Sequence, residues 1–226
     1  MSKKYKIDQK KKKCVTPECR GSYVYILEKG QLPDNKGEAY SIQMIFPKNE
    51  VNNEFFTDLK AVYAQVLMDK FGAKWKAMAE VIAAKERFPM RDGDNPKEFG
   101  LANTDQLRGC YFMSAKNLFR QPFVIGAMGK VVDPSTLTPD DIYSGAWYRC
   151  MLEFWYYDKA GNKGIGVSIA GLMKTKDDDN LGGGTSAPEA ESAFGDFATE
   201  AVSMLTDDPE DTPEDEKDET GDFDFM

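Results

Sequence analysis

Between Ala146 and Tyr157, rings and charges alternate with apolar residues. In a strand, alternate side chains face opposite sides of the sheet, so Trp147, Arg149, Met151, Glu153, Trp155 and Tyr157 share one face. Tyr148, Cys150, Leu152, Phe154 and Tyr156 share the other, which reads as core. The first face offers flat π surfaces beside cations. Unpaired nucleic-acid bases stack on such rings for roughly 1–3 kcal/mol each, and Arg or Lys neutralises their phosphates. The same rings would also suit packing beneath a helix or at a subunit contact. Tyr23 and Tyr25 fall opposite Val24 and Ile26 in a second strand and are further stacking candidates. Arg108, Phe112 and Lys116 share a face of a third, and Phe119 and Arg120 open the loop after it, as a phosphate-tracking rim or a solvated edge.

Other chemistries are poorly served. The chain of 226 residues has no histidine, which removes His-dependent nucleophilic catalysis, His general acid-base work and His-containing zinc sites. Asp92, Asp94, Asp140 and Asp141 come in close pairs, as divalent-metal ligands would, but each sits in a Gly- or Pro-marked turn where Asp is common for conformational reasons. Gly161, Gly164 and Gly166 lack the strand-to-helix context and Lys-Ser/Thr ending of a phosphate loop and read as a hairpin turn and bulge. Four cysteines, only Cys14 and Cys19 close together, predict reduced thiols in an intracellular setting rather than a disulfide scaffold or zinc site. No apolar run is long enough for a transmembrane helix, and no apolar region follows the lysine-rich start as in a signal peptide. The expectation is a binding protein without catalysis, metal or cofactor.

The elements that must position these residues are mainly strands. Ser22–Leu27 and Ala39–Phe46 read as a hairpin with a long tip at 30–37. The spacing of Phe55, Phe56, Leu59, Val62, Tyr63, Val66, Leu67 and Phe71 predicts a helix over about 52–71, with Asn52 or Asn53 as N-cap and Gly72 as C-cap. A second helix is predicted at 74–85, burying Trp75, Met78, Ala79 and Ile82. After a loop over 91–103 come a strand at 107–116, a short strand pair within 123–132 turning at Gly126–Gly129, and a Pro-led helical turn at 138–142. Ala146–Tyr157 and Lys163–Lys174 form a hairpin turning at 158–162. The fold class is mainly β with inserted helices.

Charge divides the chain. Residues 1–176 hold 28 Lys and Arg against 20 Asp and Glu, a formal +8, whereas residues 177–226 hold one Lys against 18 acids, −17; together they make the net −9. The sequence therefore predicts a basic body over 1–176 and a disordered acidic tail over 177–226, too poor in apolar residues to offset ordering. Phe194, Phe197, Ala198, Ala201, Val202 and Leu205 lie at helical spacing and could fold on a partner. The tail closes with Asp222, Phe223, Asp224 and Phe225, where rings could enter apolar pockets of another protein while acids meet a basic rim. A tethered anion also competes with nucleic acid for a basic body. The cluster Lys3, Lys4, Lys6 and Lys10–Lys13 reads as a flexible cationic arm.

This layout, with the segment Tyr143–Arg149 through Asn162–Gly166 and the Asp-Phe-Asp-Phe-Met ending, resembles the tailed-phage single-stranded-DNA-binding proteins of the OB-fold, acidic-tail type. The resemblance implies a five-stranded OB barrel with a helical insertion, bases lying across the face that carries Trp147 and Arg149, and no enzymatic activity. It implies coating of exposed strands in phage DNA replication, recombination and repair, in the cytoplasm of the infected bacterial host. Replication or recombination proteins would be recruited by the tail. Whether the body forms a homodimer it leaves open. A second reading makes the acidic tail a DNA mimic that occupies a host nucleic-acid-binding protein.

Overall fold

A computed structural model describes residues 4–32, 37–98, 104–182 and 192–194. The chain divides into two units, residues 1–186 and 187–226. In the second, Ser192, Ala193 and Phe194 form an exposed helical turn; the rest of the expected partner helix and the terminal Asp222–Phe225 motif lie outside the described residues.

The first unit is built on strands β1 (Lys6–Asp8), β2 (Lys13–Val15), β3 (Cys19–Gln31), β4 (Glu38–Pro47), β5 (Arg91–Asp92), β6 (Cys110–Asn117), β7 (Phe123–Ile125), β8 (Val131–Val132), β9 (Trp147–Lys159) and β10 (Asn162–Lys176). The hydrogen-bonded path runs β5-β6-β4-β3-β9-β10-β7-β8, with β1 and β2 attached beside β9. The expected mainly β fold is present, but as an open sheet of ten strands rather than a simple ring of five. Apart from the parallel β7–β10 pair, the ladders are antiparallel.

Alternation decides which face of each strand is buried. On β9, Tyr148, Cys150, Leu152 and Phe154 are buried, as are Ile42, Met44 and Phe46 on β4. Helix α1 (Glu50–Phe71) lays its apolar stripe onto these residues. Phe56 meets Phe46 and Tyr111 edge-on at ring-centre distances of 5.2 and 4.7 Å, and Tyr63 meets Phe154 at 5.6 Å. Each such buried side chain stabilises the fold by about 1.5–3 kcal/mol relative to exposure. The N-cap is Asn49, whose side chain accepts from the Asn52 amide at 2.9 Å, three or four residues before the expected Asn52 or Asn53. Gly72 ends the helix at φ +55 as expected. Helix α2 (Trp75–Ala84) fully buries only Ile82, with Trp75, Met78 and Ala79 half-buried.

Two local readings need correction and a third needs refinement. The lysine-rich start is an ordered hairpin, because Tyr5 is buried against Phe55, and Lys12 and Lys13 pair with Asp69 and Glu153 at 2.8 and 2.5 Å. Those partners lie far along the chain, so the cluster reads locally as unneutralised charge. The capped, Pro-led turn expected at 138–142 is present as a single turn rather than a helix, with the Asp141 amide donating to the Thr138 carbonyl at 3.0 Å and Asp141 accepting from Thr138, and a further capped turn precedes it at Pro134–Thr136 with Asp133 as cap. The strand expected from Leu107 begins at Cys110, because Thr104–Leu107 is a short helix, α3.

Candidate nucleic-acid interface

Register brings one set of expected residues together. Tyr25 pairs with Ser41, and Ser41 with Lys116, so their side chains form a row across the outward face of β3, β4 and β6. The next row pairs Gln43 with Ser114. Tyr25 is 42% exposed, and Tyr23 beside it is 45% exposed with φ +49, at a break in the β3–β4 register. This polar strip ends where Ile45, Phe112 and Leu107 form a small second core.

That second core corrects the reading of Phe112. It shares the outward face with Lys116, but α3 folds Leu107 over it and leaves it 2% exposed. Alternation shows which residues share a face and says nothing of what a distant segment lays on it. The buried ring instead carries a cation, with the Arg91 guanidinium 5.2 Å from its centre. Arg108, just before the strand, stays exposed, 3.6 Å from Asp105.

At the other end of β6, Asn117 Oδ1 accepts from the amides of Phe119 and Arg120 at 3.1 and 3.0 Å, fixing the loop. Phe119 projects 89% exposed beside exposed Arg120. Lys29 donates to the Leu118 carbonyl at 2.9 Å and lies over the Tyr40 ring, a cation at this edge that the residue pattern alone did not single out.

The β9–β10 hairpin carries a second pair of rings. Its tip is a two-residue turn at Ala160 and Gly161, both at positive φ. Trp155 is 50% exposed, meets Tyr157 edge-on at 5.9 Å and donates through Nε1 to Ser168 Oγ at 3.2 Å. Gly164 and Gly166 stand opposite Tyr157 and Trp155 in regular register and are not a bulge; the irregularities lie at Ile169–Gly171 and Lys174–Lys176. Tyr156 beneath packs edge-on against Phe71 of α1 at 5.0 Å, which braces the hairpin.

Trp147 and Arg149, the leading candidates, are engaged within the protein. Arg149 donates to the Lys4 carbonyl. Trp147 Nε1 donates to Asp178 Oδ2 at 2.6 Å, Arg20 stands 3.7 Å from the same carboxylate, and the Lys176 ammonium lies 4.8 Å from the indole centre. The start of the acidic segment is therefore a strap on the sheet rather than a free tail. Asp177 accepts from Lys174 Nζ at 2.8 Å and from the Tyr143 hydroxyl at 2.9 Å, and Leu181 N donates to the Ser144 carbonyl at 2.8 Å. Gly145 makes the close approach possible: at φ +119, a side chain there would meet the Asp179 carbonyl oxygen at 2.0 Å. The indole N–H, then the Asp179 amide, hold Asp178 below the ordinary carboxylate range, and Lys174 does the same for Asp177.

The paired carboxylates have a structural use. Asp92 and Asp94 both contact Lys48 Nζ at 2.6 Å, which raises the lysine's pKa, and Asp94 also accepts from the Gly109 amide at 2.8 Å. Asp141 accepts from both the amide and the hydroxyl of Thr138. Among the described residues there is no group of three or more Cys, Asp or Glu side chains placed to hold a metal ion, and no helix is long and apolar enough to cross a membrane.

Comparison with known proteins follows the same line. The family model described as "Enterobacter phage Enc34, ssDNA-binding protein" matches residues 12–204. Among solved structures, a single-stranded DNA-binding protein from bacteriophage Enc34 in complex with ssDNA is similar, with a TM-score of 0.61 and 18% identity over 75% of this chain and 89% of that one. A C-terminal truncation of the Enc34 protein aligns with a TM-score of 0.63 and 18% identity, covering 80% and 94%. At such identities the likeness is one of fold. No curated protein matches the chain.

Proposed function

This chain belongs to the Enc34 phage single-stranded-DNA-binding protein family, and on that premise we propose that it binds single-stranded DNA across the outward face of β3, β4 and β6. The single observation that carries the proposal is the row Tyr25–Ser41–Lys116, which places an exposed ring and a cation on one polar strip. Bases stack on Tyr25, Tyr23 and Phe119, while Lys116 and Arg120 take phosphates and Arg108 flanks the far end of β6. Trp155 extends the path onto the β9–β10 hairpin. The protein coats and protects exposed strands during phage DNA replication, recombination and repair in the host cytoplasm, binding without catalysing a reaction.

The acidic segment regulates this binding. Its root holds Trp147 and Arg20, so these join the DNA path only when the strap lifts, and the remaining acids compete for the basic body by tethered attraction. The distal Asp222–Phe225 motif recruits replication proteins. Titration of the full chain with labelled oligo-dT, a duplex and an RNA strand tests the reading, with Tyr25→Ala and Lys116→Ala alongside. Preference for the unpaired DNA strand is expected. Tyr25→Ala should lose about 1–3 kcal/mol of affinity, and Lys116→Ala should flatten the salt dependence by somewhat less than one charge. Equal affinity for duplex, or unchanged binding in both variants, would refute this site.

A further inference from the structure

We infer that Gly30, Gly164 and Gly166 are positioning residues for base stacking, each giving up a side chain so that a neighbouring ring lies on the sheet with its outer face open. This rests on the stacking function proposed above. A Cβ at Gly166 would fall 2.5–3.0 Å from Cε2, Cζ2 and Cδ2 of Trp155, and one at Gly164 would fall 2.5–2.9 Å from the outer end of Tyr157. A Cβ at Gly30 would sit 2.4–2.6 Å from Cγ, Cδ1 and Cδ2 of Tyr25, over the Cγ end of the ring. Such contacts are shorter than carbon atoms tolerate, so each ring occupies the space a side chain would fill.

Backbone torsion does not account for these glycines. Among the described residues the glycines at positive φ are 37, 72, 109, 129, 145 and 161, and none of the three is among them. What each supplies is room. Gly21 shows the contrasting use: it lies equally close to Tyr148, but that ring is fully buried, so the glycine there serves core packing. Over Gly30 and Gly166 the rings remain 42% and 50% exposed, as expected for a plate covered on one side. Trp155 is further fixed by Ser168 and by the edge of Tyr157. A ring already held in place loses less rotamer freedom when a base settles on it, and each immobilised side chain otherwise weakens association roughly two- to tenfold.

The test is a double-mutant cycle on the full chain: wild type, Gly166→Ala, Trp155→Ala and the double variant. Each is titrated with oligo-dT by fluorescence anisotropy, with intrinsic tryptophan quenching as a second readout and thermal midpoints recorded. Gly166→Ala should weaken binding roughly two- to tenfold when Trp155 is present and have little effect when it is absent. It should also reduce quenching at saturation. An equal loss in both backgrounds would mean that the glycine acts through the fold, and would overturn the inference. So would an unchanged affinity in Trp155→Ala while the wild type still binds. Absence of wild-type binding would instead overturn the stacking function itself. Should Gly166→Ala fail to fold, Gly30→Ala against Tyr25→Ala runs the same cycle on β3, with the same outcomes.

Discussion

Replacing Asp178 with Asn removes one charge from the strap and leaves its shape. In the native protein the carboxylate takes the Trp147 indole N–H at 2.6 Å and the Asp179 amide at 2.9 Å, and faces Arg20 at 3.7 Å. An asparagine oxygen can still accept from the indole, but the amide nitrogen that replaces the second oxygen cannot accept from the Asp179 N–H, so the loss is the charge assistance of one hydrogen bond plus the whole of the other, about 2 kcal/mol. The Arg20 contribution adds little, since both side chains are about a third exposed, at 28% and 32%, and water screens the pair. Lifting the strap should therefore become roughly thirtyfold easier. If the strap blocks Trp147 and Arg20 from the strand, oligo-dT affinity should rise by up to that factor at low salt, with the gain shrinking as salt rises. Anisotropy titration at two salt concentrations reads the change, and deeper tryptophan quenching reports the uncovered indole. Unchanged or weaker binding with unaltered quenching would refute the idea that the strap and DNA exclude one another.

The pH dependence has a definite sign: with its pKa lowered in the folded protein, Asp178 stabilises the strap fully above about pH 4 and loses that contribution only as pH falls through the lowered value, so strap protection measured by hydrogen exchange should be the same at pH 5 and pH 8. Ending the chain after Gly182 changes its formal charge from −9 to +5 while keeping the strap; binding at low salt should tighten, and ending it after Lys176 should tighten it further by uncovering Trp147. Equal affinities for the two truncations, despite the further change from +5 to +8, would show that the strap does not block the strand. The two phenylalanines flanking Lys116 should part company: Phe112→Ala, at a 2% exposed site, should lower stability by about 3–5 kcal/mol in a denaturant titration. Phe119→Ala, at an 89% exposed site, should leave stability within about 0.5 kcal/mol and weaken oligonucleotide binding.

What was legible in the sequence is what depends on short-range periodicity. The alternation on β9 identified Tyr148, Cys150, Leu152 and Phe154 as core, and the three- and four-residue spacing of Phe55 through Phe71 identified α1. The exposure of Tyr23, Tyr25, Lys116, Phe119, Arg120 and Trp155 followed from the same parity and from loop position. What failed depends on partners far along the chain. Lys12 and Lys13 read as a mobile arm because Asp69 and Glu153 are remote, and Phe112 read as open because Leu107 arrives from a helix that folds back. The acidic root read as free because its composition alone cannot order it; Trp147, Arg20, Tyr143 and Lys174 supply the donors that do. Gly164 and Gly166 had a readable signal: with the turn at Ala160–Gly161, counting back along the hairpin sets them opposite Tyr157 and Trp155.

The central claim is that a cationic, aromatic sheet face grips unpaired DNA by stacking and phosphate neutralisation. The affinity of the full chain for an oligo-dT measured across a salt series tests it most directly. If about four to six phosphates are neutralised, log affinity falls against log salt with a slope of roughly −3 to −4, and a non-electrostatic remainder persists from stacked bases. A flat salt response, or the same curve for duplex DNA, would contradict the account.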